Sequence, residues 1–292
     1  MPEAVVAPVP ALWLVDKTAG PTSHDVVAAA RRRLGGRRAK VGHAGTLDPF
    51  ATGLLVLMVG RATRLAPYLS GLDKTYLATI QTGRTSATLD PEGPVEDSGP
   101  PATAAEVAEV LPGFVGAQRQ RVPALSAVHV DGERLYRRAR RGESVELPER
   151  EIVVHDLRPV ADLGDGRVVV EVRCSAGTYV RRLAGDIGER LGCGAYCAEL
   201  RRTRVGDLSV DDAVAVDDVG PEGGLEPRAG LGHLPARELT PDEAARVRHG
   251  GALAGAGEDG PVALVSEGRL VAVGVPASGG GVRPDVVLED PR

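Results

Sequence analysis

Six consecutive apolar residues, Leu54, Leu55, Val56, Leu57, Met58 and Val59, follow directly on the string GHAGTLDPFATG from Gly42 to Gly53, and this junction constrains the chain more than any other feature. An uninterrupted run of that kind belongs in a core, so the turn-forming segment before it is anchored at a fixed place. Gly42 and Gly45 let backbone approach a ligand closely, and Asp48-Pro49 sets a turn whose carboxylate points away from the segment that follows. One acid, Asp48, is thereby displayed among small residues. On these residues alone an Asp-Pro turn reads as structural, because aspartate routinely caps turns and helices.

The 292 residues suffice for one large domain or two. Aromatic residues make up only 3%, so the core is expected to consist of Val, Leu and Ala, and each of the five tyrosines stands out. The formal net charge of -5 argues against nucleic acid as a partner, since phosphates reward Lys and Arg. Local charge points the other way. Six basic residues and no acid lie between Arg31 and Lys40, and seven arginines face two acids between Arg119 and Arg141, whereas from Glu222 to Arg292 seven arginines face eleven acids. The average conceals basic patches on an acidic background.

Cys174, Cys193 and Cys197 form neither an even disulfide framework nor a zinc spacing, and read as buried or free thiols in a reducing compartment. The opening MPEAVVAPVPALWLV lacks a basic start and is broken by prolines, so neither a signal peptide nor a membrane span is expected and the cytoplasm is the expected location.

Residues 1–10 read as a loose tail and 11–216 as the main domain. Within it, Leu12 to Val15 is expected as a strand, Ser23 as the N-cap of a helix from about Asp25 to Leu34, Lys74 to Thr82 as a strand and 103–111 as a helix. The Arg-dense stretch 118–148 is expected as an inserted, mobile segment with one short helix near Arg134 to Arg141. Val168 to Cys174 alternates as a strand, and Tyr179 to Leu191 places Leu183, Ile187 and Leu191 on one helical face. Gly, Pro and Glu dominate 217–234, a linker composition, and 235–292 holds two strand-like runs around Glu267-Gly268, a hairpin signal.

Several ordered strings together resemble the bacterial TruB-type tRNA pseudouridine synthases, which modify uridine 55 in the T-loop. They are Leu14-Val15-Asp16-Lys17, Gly20-Pro21-Thr22-Ser23, the Asp48 string, Lys74-Thr75-Tyr76, Gly83-Arg84-Thr85 with Asp90 and Gly93, Arg134-Leu135-Tyr136, CSAGTYVRR from Cys174, and LGCGAYCAELRR from Leu191. The resemblance covers most of the chain to about residue 210. It implies an α+β fold, a catalytic domain with a mixed, largely antiparallel sheet; the tail 235–292 is similar to the small PUA-like β-barrels attached to RNA-modifying enzymes.

Pseudouridine formation detaches uracil from the ribose, rotates it and rejoins it through C5, without redox change. It calls for an ionised carboxylate, a pocket for a loose base and a means of extracting the nucleotide from its stack. The resemblance makes Asp48 the catalytic aspartate and Arg181 its paired arginine. It brings Tyr76 and Tyr179 to the uracil pocket, where rings stack on a flipped base, with Leu200 as an apolar wall and His43 filling the gap left by the extruded nucleotide. Arg37, Arg38, Lys40, Arg137, Arg141, Arg201 and Arg202 are candidates for RNA phosphates. The implied partner is the tRNA T-stem-loop, with no cofactor, metal or obligatory protein partner and a monomeric chain.

Departures from the family pattern are Thr18 after Lys17, Ser86-Ala87-Thr88, and the stretch 122–129, which keeps Pro123 and Ser126-Ala127 but has His129 where Lys is common. Two other classes remain open on the residues themselves. One is an RNA-binding or RNA-folding protein without chemistry; the other is an aspartate-dependent nucleoside hydrolase, which commonly needs two carboxylates. Asp90, in a turn-like context, and Asp186, on the helix after Tyr179, are the acids weighed for a second carboxylate, and neither carries a motif. Whether Asp48 attacks uracil C6, attacks ribose C1′ or assists a glycal route is also open.

Overall fold

The computed structural model describes residues 9–123, 129–130, 133–134, 148–255 and 259–289. Strands β1 (Ala11–Lys17), β2 (Val41–His43) and β3 (Thr52–Val59) surround helix α1 (Ser23–Arg33) in sequence, and the short α2 (Ala66–Ser70) follows. Next come β4 (Lys74–Thr82), β5 (Arg84–Ser86), β6 (Val95–Asp97), α3 (Ala104–Val110) and β7 (Gly116–Arg121). Two-residue strands β8 (His129–Val130) and β9 (Glu133–Arg134) precede β10 (Glu149–Asp162), β11 (Arg167–Cys174), α4 (Val180–Leu191), β12 (Ala195–Val205) and β13 (Leu208–Ser209). The chain closes with β14 (Ala236–Glu238), α5 (Pro241–Arg248), β15 (Val262–Ser266), β16 (Arg269–Pro276) and β17 (Val282–Val287). It divides into two compact units, one of Met1–Pro49, Gly53–Leu72 and Val205–Arg292, the other of Phe50–Thr52 and Asp73–Arg204.

In the first unit the apolar run forms most of β3 and is buried throughout. β1 pairs with it antiparallel from Ala11↔Val59 to Lys17↔Gly53, and β2 pairs from Val41↔Val59 to His43↔Leu57. Leu12, Leu14, Leu54, Val56 and Met58 pack with Leu65 and Leu69 in one cluster. The N-cap of helix α1 is Thr22, not the expected Ser23. Thr22 and Asp25 cap each other reciprocally, which satisfies two N–H groups at the helix start and leaves Ser23 to turn inward.

The C-terminal strands form a sheet in the order β14-β15-β16-β17, with β14 parallel to β15 and the others antiparallel. β15 is buried on both faces. Val262 and Leu264 join Val247 and Leu253, while Ala263 and Val265 join the cluster that holds Leu65 and Leu69. Arg61 donates to the Glu289 carbonyl at 2.8 Å, Arg64 to that of Val287 at 3.2 Å, and Tyr68 Oη to Asp285 Oδ2 at 2.6 Å. Residues 217–234 are not the expected tether. Leu225 exchanges backbone hydrogen bonds with Leu12 at 2.9 and 2.7 Å, and Leu231 and Leu234 are buried in the same cluster. A few apolar side chains set among glycines and prolines anchor the segment, against its composition.

The second unit orders its sheet β12-β4-β11-β10-β7. β4 and β11 run antiparallel from Lys74↔Cys174 to Gln81↔Arg167, and β10 pairs antiparallel with both β11 and β7. The 14-residue β10 went unread in the sequence because register shifts between Val154 and Asp156 and between Pro159 and Ala161 interrupt its alternation. β7 shows that residues 118–121 belong to the sheet and not to an inserted segment. Arg134 lies in β9 rather than in a helix, and the rest of the expected helix lies outside the described residues. Tyr179 is the N-cap of α4, whose Leu183 and Ile187 are buried, and Gly192 ends the helix with φ 73°.

Candidate active site

The Asp48 loop is fixed on both sides of the acid. Buried Ser23 accepts from Leu47 N–H at 2.8 Å and donates to the Leu47 carbonyl at 3.0 Å. After Asp48, the Pro49 carbonyl accepts from Lys17 Nζ at 3.0 Å and from Gly20 N–H at 2.9 Å. The Lys17 side chain is itself almost wholly buried, so its ammonium is held where it can do this. Upstream, Ala44 N–H donates to the Val56 carbonyl at 3.0 Å and Gly45 N–H to His43 Nδ1 at 3.3 Å. Asp48 and His43 are each half-buried. A loop whose backbone is spent on neighbours holds its carboxylate in place without sealing it away.

In the second unit Arg181 is 3% exposed and pairs with Asp90, 2% exposed, at 3.0 Å. Arg181 Nη1 also reaches the Thr88 carbonyl at 3.3 Å, and Asp90 further accepts from Thr88 Oγ1 and from Glu92 N–H. The arginine expected opposite Asp48 thus has a carboxylate partner, Asp90, whose sequence context is that of a turn. A buried guanidinium needs such a partner, and Arg181 is buried because α4 lays its first turn against the sheet. The signal for Asp90 was the Ser86 to Glu92 loop, whose side chains close back on it: Ser86 donates to the Asp90 carbonyl at 2.6 Å.

Tyr76 lies on β4 at 8% exposure, opposite Val172, and Leu200 lies buried on β12. Tyr179 is half-buried at the head of α4. Near them, Lys74 is buried, and burial together with the charge of Arg202 lowers its ammonium pKa to about 8. Burial raises the Cys174 thiol to about 11, which keeps it protonated and unreactive. All three cysteines are buried and unbridged.

Of the candidate phosphate contacts, Arg38 and Lys40 are exposed and Arg201 is half-buried. Arg202 is 1% exposed, so its assignment to RNA phosphate is corrected: strand alternation turns it inward while Arg201 faces outward. Arg137, Arg141 and the side chain of Arg37 lie outside the described residues. Two arginines of the same basic run serve the fold, Arg31 donating to the Val41 carbonyl at 3.1 Å and Arg33 to that of Val219 at 2.9 Å. No helix among the described residues is long and apolar enough to cross a membrane.

Residues 31–180 match the model of the TruB family pseudouridylate synthase N-terminal domain, and residues 181–222 that of the tRNA pseudouridylate synthase B C-terminal domain. The tRNA pseudouridine synthase B of Synechococcus sp. (strain WH7803) is 47% identical, over 94% of this chain and 96% of its own. That of Thermobifida fusca (strain YX) is 46% identical over 91% and 94%. Among solved structures, a Cbf5-Nop10-Gar1 complex aligns with TM-score 0.74 and 26% identity over 96% of this chain and 85% of the other. An H/ACA RNP bound to a substrate RNA containing 2'-deoxyuridine aligns with TM-score 0.73 and 25% identity over 96% and 86%. The chain belongs to the TruB family of pseudouridylate synthases, which are isomerases.

Proposed function

We propose that this enzyme converts uridine 55 in the T-loop of tRNA to pseudouridine, flipping the nucleotide out of its stack and using Asp48 for the glycosidic rearrangement. The observation that carries the reading is the Asp48 loop, clamped at Leu47 and Pro49 with its acid half-buried. The names of the relatives, tRNA pseudouridine synthase B, supply the substrate class. The reaction breaks the bond from N1 to C1′, forms one from C5 to C1′, and releases the C5 hydrogen to solvent while N1 gains a proton. The protein's task is to hold one anion, one base and one ribose in register as the bonds exchange.

In this reading Arg181 is the guanidinium that offsets the Asp48 charge, and Asp90 orients Arg181. Tyr76, Tyr179 and Leu200 line the uracil site, and His43 fills the place the nucleotide leaves. Arg37, Arg38, Lys40, Arg137, Arg141 and Arg201 hold phosphates, which flank any loop whose bases are splayed out. The main domain is 11–216, and 235–292 is a PUA-like module. The enzyme works in the cytoplasm as a monomer without cofactor or obligatory protein partner. The test is tritium release from tRNA carrying C5-labelled uridine, with product mapped by position. Release at uridine 55 that vanishes in Asp48→Asn, with tRNA affinity retained, is the expected result. Release at other positions alone overturns the specificity, and near-normal single-turnover release by Asp48→Asn overturns the role of Asp48.

A further inference from the structure

Tyr179 heads α4 without any side-chain cap of its own. Its backbone is instead held by a side chain distant in sequence. Gln120 on β7, 2% exposed, donates from Nε2 to the Tyr179 carbonyl at 3.1 Å and accepts from Tyr179 N–H at Oε1 at 2.8 Å. An amide carries one acceptor and one donor group side by side, so a single Gln satisfies both polar groups of one residue. Directly across the β7-β10 ladder from Gln120 stands Arg150. Its guanidinium carbon lies 5.3 Å from the centroid of the Tyr179 ring, and its Nη1 donates to the Gly177 carbonyl at 3.2 Å.

The loop before Tyr179 is shaped to receive that arginine. Gly177 has φ +85°, a conformation that favours glycine, and a Cβ there would sit 2.9 Å from Arg150 Nη1, so a side chain would displace the guanidinium. Ser175 ties the loop to β10 through two hydrogen bonds with Val153, Ser175 N–H to the carbonyl at 2.8 Å and Val153 N–H to Ser175 Oγ at 2.9 Å. Glu149 pairs with Arg119 at 3.3 Å and Arg121 at 3.7 Å, holding β7 and β10 in register beside the pair.

We infer that Gln120 and Arg150, neighbours across β7 and β10, form a two-point mount for Tyr179: Gln120 fixes its backbone, and Arg150 covers one face of its ring. The proposal rests on the reading of Tyr179 as a residue of the uracil site. Gln120 and Arg150 are positioning residues. With a guanidinium on one ring face, the flipped base stacks on the other, so the mount sets both where the ring stands and which face it offers.

The experiment uses the full-length enzyme and unmodified tRNA transcript, measuring the single-turnover rate, tRNA dissociation constant and melting temperature separately. Gln120→Met and Arg150→Met are expected to lower the single-turnover rate by about ten- to a hundredfold, the scale of a small misplacement in an active site, with tRNA affinity within twofold. Arg150→Lys keeps the charge but loses the planar stack, and is expected to fall between wild type and Arg150→Met. In a Tyr179→Leu background, where no ring remains to be mounted, the same substitutions should change the residual rate by less than twofold. A structural role would persist in that background, so undiminished losses there overturn the proposal. If Gln120→Met does not fold, the half-exposed Arg150 variants carry the test. Loss confined to tRNA affinity, with a shallower salt dependence, makes Arg150 a phosphate contact and overturns its part. Tyr179→Leu slow while both mount variants keep the wild-type rate overturns the mount alone; Tyr179→Leu at the wild-type rate removes the underlying reading instead.

Discussion

Asp48 and Asp90 are the same residue type in loops of similar composition, yet the protein treats them in opposite ways. Around Asp48, Ser23 holds Leu47, Lys17 and Gly20 hold Pro49, and the acid is half-buried. Around Asp90 the fixings converge on the carboxylate, which binds Arg181, Thr88 and the Glu92 N–H at 2% exposure. A carboxylate saturated by buried donors stabilises a structure. A half-buried one in a rigid loop suits chemistry, and in the proposed reading Asp48 is the reagent and Asp90 the scaffold.

The largest effect that can break this contrast is on turnover. Asp48→Asn should lower single-turnover pseudouridine formation by on the order of 10⁴-fold, the scale seen when a reacting side chain is removed, while the unfolding midpoint in urea stays within error of wild type. Asp90→Ala should do the reverse in its primary effect. It takes the Asp90 carboxylate away from the buried Arg181, costing about 3 to 5 kcal/mol of stability by urea denaturation. If Asp48→Asn unfolds the protein and Asp90→Ala does not, the two roles are exchanged.

Smaller substitutions sharpen it. Ser23→Ala removes both hydrogen bonds to Leu47, so about 1 to 3 kcal/mol of stability should go, with turnover reduced by about tenfold as the loop loosens. Arg201→Ala should lower the slope of log affinity against log salt by about 0.7 to 0.9, one phosphate contact's worth, whereas Arg202→Ala should leave the slope unchanged and lower the melting temperature. Smallest is a pH effect at Lys74. Its folded pKa, near 8, lies below that of the unfolded chain, so the unfolded state binds more protons between about pH 8 and 10.5 and stability rises through that window. Relative to Lys74→Met, wild type should therefore gain stability as pH is raised from 8 to 10. A flat difference would show that the ammonium is not strained by burial.

Much of the local structure was legible along the chain. Leu54 to Val59 had no alternative to burial, Lys74 to Thr82 and Tyr179 to Leu191 were bounded almost as found, and Glu267-Gly268 does turn β15 into β16, with both residues at positive φ. Reading failed where the period was broken or the partner distant. Two bulges hid β10, and Leu225, Leu231 and Leu234 pinned a segment whose composition suggested a tether. Arg202 looked like its neighbour Arg201 until strand alternation separated them.

Ordered motifs were enough to name the family, to single out Asp48, and to select Tyr76, Tyr179, Arg181 and Leu200, because residue type and spacing are properties of the chain itself. Only the tertiary structure could say that Arg181 is met by Asp90, that Ser23 and Lys17 hold the Asp48 loop, and that Gln120 and Arg150 seat Tyr179. Each of these pairs joins residues 24 to 91 positions apart. Burial decides them: once strands and helices close over a polar group, it must find a partner in space, and the linear order of the chain carries no record of which one that will be.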